Sequence, residues 1–97
     1  SMPKFTVKIE GRNFFGRHTS TAIDQKYGFI TIVLVEAHDH IQAEQKAVSI
    51  LKADEDLRTF AKNDSEDPPI LNIEEIIEVS EGPSIAHPKS GLVWFPE

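Results

Sequence analysis

The chain has 97 residues, 10 basic and 16 acidic side chains, a net charge of −6 and no cysteine. That length allows one domain, 2–97, with a modest core; the absence of cysteine excludes disulfides and thiolate chemistry and fits a reducing cytoplasm. The acidic balance argues against a general nucleic-acid binder, which needs a basic footprint. No run approaches the ~18 to 20 apolar residues of a membrane span, and no basic-then-apolar leader is visible. Ser1 ahead of Met2 reads as the remnant of a cleaved tag. Charge is unevenly placed: residues 1–27 carry five basic against two acidic side chains, residues 28–97 five against fourteen. Such asymmetry can steer an acidic ligand towards the N-terminal third, or let parts of one subunit attract each other.

Phe5 to Glu10 alternates strictly, with Phe5, Val7 and Ile9 on one side and Thr6, Lys8 and Glu10 on the other. This predicts a half-buried strand. Gly11 ends the alternation, and residues 11–26 are expected to form a long connection, of the kind that is functional or loosely ordered. Tyr27 to Glu36 is the longest β-favouring run. Both of its faces are apolar, Phe29, Val33 and Val35 on one and Ile30, Ile32 and Leu34 on the other, so both need cover.

Asp39 stands where a helix cap is expected, and Gln42 three residues later completes a capping-box pattern. Ile41, Ala43, Ala47, Val48, Ile50 and Leu51 fill about half of the helical projection, placing the helix on one sheet face. Ala43 and Ala47 permit close approach; Glu44 falls inside the apolar arc and needs a partner or partial exposure. Residues 54–62 predict a second short helix, acidic in its first turn and ending at Lys62. Asn63 to Pro69 is a polar loop. Residues 70–80 predict a third strand, with a bulge near Glu74 and Glu75 to reconcile its broken alternation. Residues 81–91 form a turn-rich connection, and Leu92 to Phe95 a final strand. Trp94 and Phe95, followed by Pro96, could serve as a docking tail, but an apolar strand completing the core is the more economical reading.

The order β-β-α-α-β-β predicts an α+β fold: a four-stranded, mainly antiparallel sheet under one helical layer. A right-handed crossover with the first strand between the second and third makes it a split β-α-β sheet of order 2-1-3-4. A mixed sheet with strands 2 and 3 adjacent is the alternative. One helical layer leaves Ile30, Ile32 and Leu34 facing outward, with Ile70 and Ile76 from the third strand. Burying such a face between two copies predicts a homodimer, unless the tail and long connection fold over it.

Three clusters invite chemistry. Arg12, Asn13, Phe14, Phe15, Arg17 and His18 combine cations with aromatics, a set able to grip an anion or stack on a base. The plainer reading has the phenylalanines tucked onto the core and the arginines solvated. His38 and His40, with Glu36, could ligate a metal, although Asp39 between them is better explained as a helix cap. Glu74, Glu75, Glu78 and Glu81 suit a solvated face or a guarded edge better than acid–base work. With no serine–histidine–acid order, nucleophile elbow or zinc signature, an enzyme has a weak case and no cofactor is implied.

Gly28-Phe-Ile-Thr31 leading to Val35-Glu-Ala37, an Ala-rich helix, Pro68-Pro69 and Gly91-Leu-Val-Trp-Phe-Pro-Glu97 together resemble small bacterial proteins of unknown function. The likeness spans most of the chain from Gly28 onward; its motifs are structural and bring no site residues. The strand–strand–helix core is also similar to the partial RNase-like fold of HicB-type antitoxins, with a longer first connection and without the third strand that precedes the helix there. Likeness of topology conveys no function. The expected roles are therefore a dimeric interaction or regulatory module, an anion-binding domain using Arg12 and Arg17, or a small metal protein using His38 and His40.

Overall fold

The computed structural model describes residues 2–17, 23–79 and 91–97. Its elements are β1 (Lys4–Gly16), β2 (Gln25–Glu36), α1 (His40–Lys52), α2 (Glu55–Phe60), β3 (Ile70–Val79) and β4 (Val93–Pro96). The four strands form one sheet of order β3-β1-β2-β4, and every neighbouring pair is antiparallel. The α+β class and the split arrangement stand as expected, with β1 lying between β2 and β3. The fourth strand joins the free edge of β2 instead of extending the sheet beyond β3. The reason is visible in its side chains. Trp94, opposite Phe29, meets the rings of Phe14, Tyr27, Phe29 and Phe60, and only the β2 end of the sheet offers that aromatic cluster. The other edge carries Glu74, Glu75 and Glu78, charges that discourage pairing with a further strand.

β1 is much longer than its alternation suggests. It pairs with β2 from Lys4↔Glu36 to Gly11↔Phe29, then again from Phe14↔Tyr27 to Gly16↔Gln25. Between those stretches, Arg12 and Asn13 oppose Gly28 alone. This is a bulge, with Asn13 in the left-handed region at φ 61. Asparagine tolerates that conformation better than most residues. The extra residue shifts the phase by one, so Phe14 and Gly16 point to the side occupied by Phe5, Val7 and Ile9. The apparent end of the strand at Gly11 is this phase shift. Gly11 itself lies under the Phe29 ring, and an added Cβ would collide with it.

β3 has the bulge expected near Glu74: its register against β1 shifts between Lys8↔Glu75 and Ile9↔Ile73, leaving Glu74 as the extra residue. The bulge also decides the facing of the neighbours. Ile76 lies opposite Val7 and packs against the core, whereas Ile77 opposite Thr6 points to the outer face. The expected placement of Ile76 on the outer face is therefore corrected by one residue.

A single core fills the space between the sheet and the helices. Phe5, Val7, Ile9, Phe14, Phe29, Val33 and Val35 meet Ala43, Ala47, Leu51 and Leu57. Ala43 and Ala47 are fully buried, the close approach their size permits. α1 starts as expected: Asp39 Oδ1 accepts from the Gln42 backbone N–H at 2.8 Å, and Gln42 Oε1 accepts from the His38 N–H at 2.7 Å. Ile41, expected on the apolar arc, is 68% exposed. Asp54 caps α2 through the Leu57 N–H at 3.0 Å, and the helix ends at Phe60, where the ring stacks on Trp94 with centroids 4.2 Å apart.

Candidate functional site

The outer face of the sheet takes its residues from strand alternation. Thr31, Phe29, Val33 and Val35 are buried on the helix side, which leaves Ile30, Ile32 and Leu34 on the other. None of these three belongs to the core or packs against it, and the buried side chains of the two described helices, Ala43, Ala47, Leu51 and Leu57, lie in that core. Ile32 is 45% exposed. β4 extends the same stripe: Val93 stands opposite Ile30 and is 67% exposed, and Phe95 lies over Gly28. The central β1 strand interrupts the apolar surface with Thr6, Lys8, Glu10 and Arg12, whose partners on β3 are Ile77, Glu75, Asn72 and Ile70. The outer face is thus a greasy band over β2 and β4 beside a polar band over β1. Val93, Phe95 and Ile77 escaped sequence reasoning because their facing depends on pairing partners and bulges, not on local pattern.

Within the Arg12–Arg17 segment, residues 12–16 belong to β1 where a loop was expected. Arg12 forms two 3.0 Å bonds to the Glu10 carboxylate on the same face. The guanidinium holds the Glu10 carboxyl below the ordinary carboxylate range, and Glu10 in turn raises Arg12. Arg17 pairs with Asp24 at 3.3 Å. Phe14 is buried in the core and Phe15 half-buried. The cations of the segment are thus already paired within the chain, and its first aromatic is used in packing. His18 lies outside the described residues.

Asn13 has a structural role that its residue type alone does not reveal. Its side-chain amide donates to Asp67 Oδ1 at 2.7 Å and to the Pro68 carbonyl at 3.1 Å, and its backbone N–H to the Glu97 carboxylate at 3.1 Å. Asn63 answers from the other side, donating to the carbonyls of Asn13 and Asp67 and accepting from the Phe15 N–H. Lys26 pairs with Asp67 at 3.2 Å. The Asp67 carboxyl is held below its ordinary value, first by the Asn13 amide and then by Lys26. This knot ties the 61–69 segment to the far end of the β1–β2 hairpin.

His38, His40 and Glu36 do not assemble a ligand set. His40 sets its ring edge-on against Phe5 at 5.0 Å, His38 is exposed, and the Glu36 carbonyl accepts from Lys46 Nζ at 2.6 Å. Among the described residues no three histidine, aspartate or glutamate side chains converge on a metal position. Glu44, which seemed misplaced on the apolar arc, is exposed at the rim of a cavity between the helices and β3. No described helix is long and apolar enough to cross a membrane. Comparison of the chain with family models, curated proteins and solved structures finds no match.

Proposed function

We propose that the domain is a non-enzymatic interaction module that works as a homodimer, two copies meeting over the apolar band of the outer sheet face. The observation that carries this reading is the row of Ile30, Ile32, Leu34, Val93 and Phe95, which stands outside the core on a face bearing none of the described helices. Two of these side chains are about half exposed or more in the isolated chain, Ile32 at 45% and Val93 at 67%. Contiguous apolar surface beyond a few hundred Å2 is rare on monomers and marks association sites. A twofold pairing uses the same band from both copies, so one self-complementary surface suffices. The polar band of Lys8, Glu10 and Arg12 beside it supplies a rim of the kind that surrounds apolar interface centres. The lack of cysteine supports a reducing, cytoplasmic setting. Sedimentation equilibrium tests the reading: the chain is expected to sediment as a dimer, and Ile32→Asp as a folded monomer. A wild-type chain that remains monomeric at high protein concentration overturns it.

A further inference from the structure

A cavity of about 480 Å3 opens on the opposite side of the sheet, between α1, α2 and the start of β3. Its volume lies within the ~300–1,000 Å3 typical of small-molecule sites. Phe14, Leu51 and Leu57 line it from the core, and Val48, Leu71 and Ile73 add further apolar side chains. Its charged lining residues are Glu44, Lys52 and Arg58. Glu44, Val48 and Lys52 recur every four residues and so share one face of α1. Glu44 and Lys52 are separated by about 12 Å along the helix axis, and Lys52 stands at the end from which the chain turns into α2 and Arg58. The cavity is therefore apolar along its body, cationic at one end and anionic at the other.

Lys52 and Arg58 differ from most of the described bases. Arg12, Arg17, Lys26 and Lys62 each pair with a carboxylate, and Lys46 is held by a carbonyl. Among the described residues, Lys52 and Arg58 make neither an ion pair nor a side-chain hydrogen bond. Two uncommitted cations at the end of an apolar cavity, in a chain of net charge −6, form a site for an anion that carries its own apolar body. We propose that this cavity binds a linear aliphatic carboxylate, its alkyl chain against Phe14, Leu51, Leu57 and Leu71 and its headgroup at Lys52 and Arg58. Glu44 at the far end disfavours the reversed orientation, which brings two carboxylates together. The proposal does not depend on subunit pairing, because the cavity and the apolar band lie on opposite sides of the sheet.

Isothermal titration calorimetry with decanoate, kept below its micelle concentration, tests it. Decanoate is expected to bind once per chain, and decylamine, with the same alkyl body and the opposite charge, about tenfold more weakly or worse. The exposed double variant Lys52→Gln/Arg58→Gln is expected to keep its circular dichroism spectrum and to bind decanoate about tenfold more weakly. A second variant, Ala61→Phe, fills the cavity without altering charge and is expected to abolish binding. Trp94 is the only tryptophan and stands edge-on to Phe14, so its emission reports occupancy independently. Absence of decanoate binding at millimolar concentration, equal binding of decylamine, or unchanged affinity in the folded double variant each overturns the proposal.

Discussion

The two faces of β2 are built from similar residues and end in different surroundings. Phe29, Val33 and Val35 are sealed in the core on the helix side of the sheet, and Ile30, Ile32 and Leu34, one position away each, stand outside that core. Hydrophobicity by itself therefore does not say what a strand face is for. A face closed by its own helix contributes to folding, and a face left open contributes free energy only when something else arrives. Substitutions on the two faces should separate these roles.

Phe29→Ala should have the largest effect. It removes a fully buried ring from between Gly11, Phe14 and Trp94, and about 3–5 kcal/mol of stability is expected to vanish in urea unfolding. Next come substitutions at the bulge that decides which residues of β1 face the core. Asn13→Ala loses two side-chain hydrogen bonds and forces a Cβ-bearing residue without a local polar partner to φ 61, at about 2 kcal/mol. Asn13→Gly keeps the backbone conformation at ease, so it should be the milder of the two by about 1 kcal/mol. Equal losses would show that the conformation carries no cost.

The knot around Asn13 also has a pH signature. Because the Asp67 carboxyl is depressed in the folded chain, its contribution is fully present above the ordinary value of 3.8 and is lost as pH falls through the lowered one. Asp67→Asn should therefore be less stable than the wild type at pH 7, with the gap narrowing below pH 3.8. Thermal melts across that range check the direction. The smallest change in stability is expected for Ile32→Asp on the open face, within about 0.5 kcal/mol when compared as monomers. Its effect should appear instead in the sedimentation of the chain.

Much of the fold was legible because its signals are local. The doubly apolar strand, the Asp39–Gln42 cap, the paired alanines of α1 and the bulge near Glu74 each follow from residues a few positions apart. What escaped depends on distant partners. The alternation of β1 seemed to stop at Gly11 because the residue in the left-handed conformation is Asn13, and an asparagine in a polar stretch carries no obvious mark of a bulge. β4 could not be assigned an edge before it was known that Phe14 packs on Phe29 and Phe60 on Tyr27. The cavity with Lys52 and Arg58 likewise joins α1, α2 and β3 across intervening segments, and Glu44 made sense only once its rim position was seen.

The bulge at Asn13 sets which way the far end of the hairpin faces. Drawing the strand straight at constant length, with Asn13 taken into the regular zigzag, would turn Phe14 and Gly16 over, sending an aromatic ring towards water and emptying its place beside Trp94. Deleting Asn13 instead removes the extra residue and keeps Phe14 facing inward. It should therefore do less damage than deleting one amino acid from the regular run Phe5 to Ile9, which inverts inside and outside on one side of the gap.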